Sequence, residues 1–457
     1  MEQIESILQQ IKENIWGPPL LALLLGAGIY LTLLLKGVQF RYMGYALKQV
    51  VAKKKDSAKG DISHFEALMT SLAGAIGTGA IVGVASAVAI GGLGALFWMW
   101  VTAFVGMATK YAESLLAVKY RKVDDRGEMI GGPMEYIEYG LGWKWMAILF
   151  AIFGSVAAIS TGNMVQVNSI VEAVGTVWYV NPWITGTVVS ILTGLVILGG
   201  VRSIGHVAGV LVPLMATFYM VGGCIIIFMN IQHVPAAIIL IFTSAFTGQA
   251  ALGGFSGATL LIAIQMGVSR SIFSNEAGLG ISSIAAAAAK TDSPGRQAMI
   301  TMTGALLSTG VVCTITGLVI AVSQVFGSTY PDGTMVNGAP LAIAAFGSSL
   351  PGGSYIVTVG LVLFAFSTII AWAYYGEKCC EYILGESYIW FYRILFTLVI
   401  IPSATLKMEV IWHIADISNA FMVIPNIIAL VLLSGVIKAE TRKFLLVAEK
   451  EIAQGKK

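Results

Sequence analysis

Two glycine-rich segments interrupt long apolar runs and could expose polar backbone to a ligand. The first reads SLAGAIGTGAIVGVAS over residues 71–86, and the second reads MGVSRSIFSNEAGLGISS over residues 266–283. A glycine weakens a helix by about 1 kcal/mol relative to alanine, so both segments are expected to unwind locally. Inside a membrane, freed N–H and C=O groups are tolerated where they face protein, a solute or a cation. Both segments are therefore candidate binding sites, and close helix packing is the alternative role for the glycines.

The composition indicates that these segments lie in a lipid bilayer. Of the 457 residues, 57% are hydrophobic and only 11% are charged, whereas soluble domains carry about 25% charged residues. This composition excludes a cytosolic enzyme, a nucleic-acid binder and a disordered regulator. Apolar runs of about 20 residues, rather than ten-residue alternations, also exclude an outer-membrane barrel. An all-α polytopic membrane protein remains.

The apolar runs predict eleven transmembrane helices, of which the second and seventh are broken. In chain order they cover residues 15–35, 65–90, 95–118, 145–173, 183–200, 207–229, 258–289, 299–326, 354–377, 390–406 and 409–436. Lys and Arg concentrate in alternate connections and in the C-terminal tail. The positive-inside rule therefore places the N-terminus outside the cell membrane and the C-terminus in the cytoplasm. Two further apolar stretches, 235–246 and 338–350, are too short to span and are expected to form interfacial helices or outer lids.

The positions of the two breaks predict an internal repeat. Five spans separate the starts of the two broken segments, so the segments begin on opposite sides of the membrane. This arrangement is typical of an inverted five-plus-five repeat with a solute site near the midplane. We expect residues 1–60 to hold a surface helix, an accessory first span and a basic cytoplasmic loop. The two repeats then cover 61–230 and 231–436, and 437–457 forms a cytoplasmic tail.

Three motifs resemble the signature of the sodium:alanine symporter family, whose members are also called alanine or glycine:cation symporters. These motifs are GGLGALFWMWVTAFVG at 91–106, SNEAGLG at 274–280 and YGEKCCEYILG at 375–385. Family members are similar in fold to the bacterial leucine transporter, which implies the same inverted repeat. The resemblance implies secondary active symport of alanine or glycine with sodium into the cell by alternating access. It implies no cofactor other than the co-transported sodium ion.

An amino-acid zwitterion needs a positive partner for its carboxylate. A half-helix N-terminus supplies unpaired N–H groups and about +0.5 charge. We therefore expect the carboxylate at the backbone N–H groups near Thr78 and Gly79, assisted by the Thr78 hydroxyl.

The ammonium group needs a negative partner, which the bare carbonyls of a half-helix C-terminus can provide. We expect it at the carbonyls of Phe273 and Ser274 and at the Asn275 side chain, in a break that also contains Glu276 and Gly278. Glu276 could bond the unwound backbone, position the amine or carry a proton. We favour a structural and pocket-shaping role over proton coupling.

Three larger side chains are expected to border the solute. Asn163 and Gln166 are three residues apart and share a helix face, and Gln166 is the preferred contact. The alternative is hydrogen bonding between helices without solute contact. Phe273 and Trp372 would wall the pocket and leave room for a methyl group, since resemblance to the leucine transporter places Trp372 on a span that lines the site. Ordinary packing is the alternative for either aromatic side chain.

Sodium is a hard cation that prefers oxygen ligands. Ser367 and Thr368 are adjacent hydroxyls in an apolar segment, and the resemblance matches them to the hydroxyl pair of the second sodium site in the leucine-transporter fold. The other ligands would then be the carbonyls of Ala73, Ile76 and Phe364. The alternative is that both hydroxyls bond back to their own helix.

Four ionisable residues inside the predicted spans are also functional candidates. Glu113 lies three residues after Lys110 and is expected to pair with it. Arg270 lies one turn before the second break and Asp416 lies in the last span, so they could form an outer gate, although the sequence does not bring them together.

Competing functions fit the sequence less well. An integral-membrane enzyme would need a nucleophile–base set or metal ligands, and the chain contains neither a GxSxG motif nor an HExxH motif around its four histidines. A channel would need a repeated filter motif. The closest rival is a proton-coupled transporter of small amino acids with the same fold. The expected partners are small neutral amino acids, sodium and the lipid bilayer, with no nucleic acid and no obligate protein partner.

Overall fold

The computed structural model describes residues 2–52, 59–247, 260–406 and 408–454. Parts of the predicted basic loop (53–58), the start of the seventh predicted span (258–259) and the end of the tail (455–457) lie outside the described residues. The chain is 83% helical. In the described ranges it forms one two-stranded antiparallel sheet, in which β1 (Lys122–Val123) pairs with β2 (Met129–Ile130).

In the described residues, twelve α-helices precede residue 230. They are α1 (Glu2–Ile15), α2 (Pro18–Leu34), α3 (Val38–Arg41), α4 (Met43–Val51), α5 (His64–Ala75), α6 (Val82–Gly91), α7 (Gly94–Lys119), α8 (Pro133–Leu141), α9 (Lys144–Ile159), α10 (Val165–Trp178), α11 (Pro182–Ile197) and α12 (Gly200–Met229). Local sequence explains several starts. Pro18 and Pro182 occupy the first helical turn of α2 and α11, where a missing N–H does no harm. A capping box between Ser63 and Glu66 begins α5.

Ten helices follow in the second half of the described chain. They are α13 (Val234–Thr247), α14 (Leu260–Asn275), α15 (Ser283–Ala287), α16 (Pro294–Ala305), α17 (Thr314–Val322), α18 (Gly338–Ser349), α19 (Gly353–Leu384), α20 (Ile389–Ser403), α21 (Met408–Leu432) and α22 (Ser434–Gln454). Two π-helical segments, Ser160–Met164 and Leu306–Cys313, join α9 to α10 and α16 to α17. The predicted short apolar stretches form α13 and α18.

Five helical segments of the described chain are long and apolar enough to cross a membrane. They are Lys144–Trp178, Gly200–Met229, Pro294–Val322, Gly353–Leu384 and Val410–Leu432, and the pair Ser6–Ile15 and Pro18–Leu34, bent by 41°, makes a sixth if it is one span. The polytopic helical class is therefore confirmed. Eleven spans stay a prediction, because several of the remaining segments are short or broken in two.

Two long helices hold the broken ones in place. The helix α7 packs against α14, α15 and α16, and α19 packs against α5, α9, α10 and α12. The interior between them contains the largest buried side chains, including Trp372, Lys110 and Phe364.

Candidate functional site

The first predicted break is present between α5 and α6. The backbone leaves the helix at Ile76 (φ −85°, ψ 67°) and Gly77 (φ −110°, ψ −149°), and one 3₁₀ turn over Thr78–Ala80 follows. The Thr78 N–H donates to Gln166 Oε1 at 3.1 Å. The Thr78 hydroxyl is buried and has no hydrogen-bond partner among the described residues. The break therefore leaves an unpaired polar group inside the bundle, which normally requires a partner.

The second predicted break follows α14. Glu276, Gly278 and Gly280 all have left-handed backbone angles, with φ of 58°, 91° and 77°. A left-handed glutamate is strained by about 1–3 kcal/mol and persists only where its surroundings fix it. The Asn275 side chain helps to fix it, because Oδ1 accepts from the Ala277 N–H at 2.9 Å.

The two breaks touch each other, and glycines permit the contact. A Cβ on Gly79 would lie 2.8 Å from Phe273 Cδ1 and 3.1 Å from the Phe273 carbonyl oxygen. A Cβ on Gly77 would lie 2.3 Å from Thr368 Oγ1 and 3.0 Å from Gln166 Oε1. Close packing and local unwinding of the helix therefore occur together at these glycines.

A buried oxygen cluster joins α19 to the first broken helix. Thr368 Oγ1 donates to the Ala73 carbonyl at 2.8 Å and lies 3.0 Å from the Phe364 carbonyl. Ser367 Oγ lies 2.8 Å from the Phe364 carbonyl and 3.4 Å from the Ala73 carbonyl. The hydroxyls therefore bond back to their own helix and also reach across to α5. Ile76 follows Ala73 by three residues, at the point where α5 unwinds.

The amide and indole side chains predicted beside the solute lie against the first broken helix. Gln166 Nε2 donates to the Thr161 carbonyl at 3.0 Å, which fixes its oxygen toward the Thr78 N–H. Trp372 is 1% exposed, and its indole N–H lies 3.4 Å from the Gly74 carbonyl. The π-helical turn admits the indole, because a Cβ on Gly162 would lie 2.1 Å from Trp372 Cβ.

Asn163 and Ser274 are bonded to neighbouring helices. Asn163 Nδ2 donates to the Phe396 carbonyl at 2.7 Å, which is the interhelical bonding weighed as an alternative. Ser274 Oγ lies 3.0 Å from Cys313 Sγ and 3.4 Å from Thr309 Oγ1. The π-helical segment Leu306–Cys313 thus supplies polar partners to the end of α14.

Two charged residues of α7 bind the opposite ends of the second break. Lys110 Nζ donates to the Asn275 carbonyl at 2.7 Å, at the C-terminal end of α14. Glu113 Oε1 accepts from the N–H groups of Gly278 at 2.9 Å and Gly280 at 3.1 Å. A cation at a helix C-terminus and an anion at free N–H groups both match the helix dipole. Asn426 Nδ2 donates to the same Glu113 oxygen at 2.8 Å.

The expected Lys110–Glu113 ion pair is therefore wrong. Each side chain has its own backbone partner, because one turn of α7 spans the gap between the two half-helices. Sequence reasoning did not assign either residue to the break. The available signal was the presence of two opposite charges one turn apart within an apolar helix.

Glu276 lies at the centre of the two breaks. It is fully buried, and neither carboxylate oxygen has a hydrogen-bond partner within the described ranges. A Cβ on Gly74 would lie 2.9 Å from Glu276 Oε1, so the carboxylate faces the first broken helix. Lys110 is the cation that acts on it electrostatically.

An ion pair and an aromatic stack cover one end of the site. Arg270 Nη2 lies 3.2 Å from Asp416 Oδ2, and the guanidinium lies 4.7 Å from the centre of the Trp412 ring. That ring lies 4.9 Å from the Phe273 ring. Lys12 adds a second cation 3.6 Å from Asp416. Arg270 and Asp416, the two residues that could form an outer gate, are thus in direct contact.

Backbone contacts close the opposite end, where α5 begins and α15 ends. The Asp61 N–H donates to the Ala288 carbonyl, and the Lys290 N–H donates to the Ile62 carbonyl, each at 2.8 Å. Arg121 Nη1 donates to the Ala289 carbonyl at 2.7 Å. The site is therefore covered at both ends of the bundle.

A polytopic helical bundle with two broken helices that meet beside a buried oxygen cluster has the architecture of a secondary transporter. A family model described as the sodium:alanine symporter family matches residues 1–456, and the chain belongs to this family. The protein is a sodium-coupled amino-acid symporter of the membrane and not an enzyme.

Comparisons with individual proteins agree with this classification. The chain is 52% identical to the sodium/alanine symporter AgcS of Methanococcus maripaludis over 445 residues, covering 96% of this chain and 97% of the relative. It is 36% identical to the probable sodium/glutamine symporter GlnT of Bacillus subtilis over 439 residues, covering 96% and 90%. A solved structure, that of MhsT in complex with L-phenylalanine, also matches, and MhsT has the leucine-transporter fold. The match has a TM-score of 0.59 at 12% identity and covers 82% of this chain and 89% of that chain. The leucine-transporter-like fold implied by the family resemblance is thereby confirmed, whereas the eleven spans and the bounds of the two repeats stay predictions.

Proposed function

We propose that this symporter carries alanine and glycine into the cell together with sodium. The observation that carries the proposal is the convergence of two hydroxyls and two carbonyls beside the first break, since this cluster offers only neutral oxygen donors. Such donors suit a weakly held monovalent cation. The family match and the name of the archaeal relative support alanine as a solute.

Sodium is proposed to bind at this oxygen cluster as a transported ion. Its ligands would be the carbonyls of Ala73, Ile76 and Phe364 and the hydroxyls of Ser367 and Thr368. Because Ala73 and Ile76 belong to the first broken helix, the ion would hold that helix against α19. Sodium binding would then favour the conformation in which the first broken helix packs against α19.

The solute carboxylate is proposed to bind the unwound backbone at Thr78 and Gly79. The unpaired Thr78 hydroxyl supports this assignment. The Thr78 N–H donates to Gln166 Oε1, so the carboxylate would displace this amide oxygen, and Gln166 would then contact the solute directly. Trp372 would limit the space beside the first break.

The ammonium group is proposed to bind at the second break. The carbonyls of Phe273 and Ser274 end α14, and Asn275, Glu276 and Gly278 form the turn that exposes them. Glu276 would supply the negative potential without touching the solute. The Phe273 ring would complete the wall beside the solute.

The repeat and the orientation stay part of the proposal. Residues 61–230 and 231–436 would form the two inverted repeats, with 1–60 and 437–457 as additions at either end. The N-terminus would face the outside and the C-terminus the cytoplasm, as the distribution of Lys and Arg indicates.

Competition binding to the purified protein tests the proposed solute range. We expect bound radiolabelled alanine to be displaced by glycine and unlabelled alanine but not by leucine, and to require sodium in the buffer. Displacement by leucine, or alanine binding that is unchanged in potassium, would contradict the proposed site.

The Thr78 hydroxyl provides the first specific prediction. We expect Thr78→Val to weaken alanine binding about tenfold, because one hydrogen bond to a charged group contributes about 1.5 kcal/mol. The change keeps the shape of the side chain. Thr193→Val on α11 is a matched control, since that buried hydroxyl also has no partner in the described ranges. Equal affinities for both variants and the unaltered protein would remove the hydroxyl from the site.

Trp372 provides a second prediction about solute size. We expect Trp372→Ala to admit larger side chains, so that leucine competes with alanine for binding. The indole is buried against Gly162, and its removal opens space beside the first break. Trp372→Phe keeps most of the bulk and should retain the preference for alanine. If the alanine variant keeps the original competition profile, Trp372 does not limit solute size.

A further inference from the structure

A basic cavity lies between the α2–α3 connection and the C-terminal helix α22, away from the solute site. Its volume is about 180 Å³, and four cationic side chains line it, namely Lys36, Arg41, Lys438 and Arg442. The solute pathway does not account for this concentration of charge. Both segments belong to the additions outside the proposed repeats.

Local backbone geometry brings the first two cations to the cavity. Lys36 and Gly37 have left-handed angles, with φ of 54° and 65°, and this reverses the chain between α2 and α3. The Gly37 N–H closes the end of α2 on the Thr32 carbonyl at 2.8 Å. Glycine adopts this conformation readily, whereas lysine does so only with strain. The tight turn therefore holds Lys36 close to Arg41.

The four cations have no salt-bridge partner within 4.0 Å in the described part of the chain, although other cations that bind α22 residues do. Lys119 and Lys443 bind Glu440 at 2.6 and 3.1 Å, and Arg296 binds Glu451 at 2.7 Å. The one carboxylate that lines the cavity, Glu449, accepts a hydrogen bond from the Tyr42 hydroxyl at 2.8 Å. The cavity thus carries an excess of positive charge.

The same cavity has an apolar side. Leu34, Leu35 and Leu445 contribute to its lining. Beside it, Leu33 and Phe40 are 72% and 58% exposed, as expected for side chains that face lipid. A ligand of this cavity therefore meets cations at one end and hydrocarbon at the other. A free anion would use only the first of these surfaces.

We propose that this cavity binds the headgroup of an anionic phospholipid from the cytoplasmic leaflet. Basic pockets between helices on the cytoplasmic side are suited to such headgroups. The bound lipid would bridge the accessory helix α2 and the tail helix α22, with its acyl chains along Leu33 and Phe40. The assignment to the cytoplasmic leaflet rests on the proposed orientation of the protein, whereas the assignment of an anionic lipid as the ligand does not.

Native mass spectrometry of the full-length protein in detergent tests this site. The probes are phosphatidylglycerol, phosphatidylcholine and inorganic phosphate. We expect one phosphatidylglycerol to bind tightly, with phosphatidylcholine and phosphate binding far more weakly. Each cation replaced by glutamine should weaken phosphatidylglycerol binding about fivefold, and the four replacements Lys36→Gln, Arg41→Gln, Lys438→Gln and Arg442→Gln should abolish it.

A charge-matched control separates a site from general attraction. Glutamine at Lys48, Lys144, Lys443 and Lys450 removes the same charge outside the cavity and should leave lipid binding intact. Equal losses in both variants, or phosphate binding as tight as phosphatidylglycerol binding, would overturn the proposal. If the fourfold cavity variant does not fold, the single variants Lys36→Gln and Arg442→Gln decide, because unchanged affinity in both would also overturn it.

Discussion

Sodium-dependent alanine uptake should fall about 100-fold when Ser367→Ala and Thr368→Val are combined. Both hydroxyls lie within 3.4 Å of the Ala73 and Phe364 carbonyls, so the double variant removes two of the five proposed ligand groups. Each lost contact to a charged group costs about 1.5–3 kcal/mol. The measurement is the rate of uptake into proteoliposomes as a function of sodium concentration. We expect the half-saturating sodium concentration to rise while residual alanine binding persists at high sodium.

A change on the same helix provides the control. Thr358→Val removes another buried hydroxyl of α19, one that has no partner in the described ranges. Thr358 lies ten residues before Thr368, outside the oxygen cluster. It should leave the sodium dependence unchanged. If the double variant keeps its sodium dependence, the oxygen cluster joins α19 to α5 for structural reasons alone and sodium binds elsewhere.

The second large effect concerns the charges that hold the second break. We expect Glu113→Ala to destabilise the folded protein by about 3–5 kcal/mol, the range measured when one member of a buried charged group is removed. The change leaves the N–H groups of Gly278 and Gly280 without their acceptor and removes one of the two carboxylates that balance the buried Lys110, the other being Glu276. Thermal unfolding in detergent, followed with and without alanine, measures this effect.

Three further variants separate the effect of charge from that of packing around Glu113. Glu113→Gln keeps an acceptor oxygen and should lose less stability than the alanine variant. The neighbouring change Ser114→Ala also lies in the buried face of α7 and should be close to neutral. Adding Lys110→Met to Glu113→Ala should cost less than the sum of the single changes, because the pair balances the ends of one break. Strict additivity would contradict a shared role.

Local composition was enough to predict where the helices break, but not which side chains stabilise the breaks. Glycines beside polar groups weaken a helix wherever they occur, so the unwinding at Gly77 and at Gly278 could be inferred from spacing alone. The sodium ligands at Ser367 and Thr368 were expected from family resemblance and stay a prediction, since both hydroxyls also bond back to their own helix. The helical class was predictable from the low share of charged residues and the length of the apolar runs, and the fold from the family resemblance.

Contacts between distant segments could not be inferred from spacing. Lys110 and Glu113 have the separation of a helical ion pair. Each instead bonds to the backbone of the second break, Lys110 to the Asn275 carbonyl and Glu113 to the Gly278 N–H. Arg270 and Asp416 are far apart in sequence, and only packing unites them. The packing of Trp372 against Gly162 also joins distant segments, and it requires that position 162 carries no side chain.

Alanine accumulation in proteoliposomes tests the central claim most directly. The protein is reconstituted and given an inward sodium gradient alone, an inward proton gradient alone, or neither. The proposed coupling predicts that labelled alanine rises above its external concentration only with the sodium gradient, and that collapse of that gradient releases it. Accumulation driven by the proton gradient without sodium would contradict sodium coupling through this site.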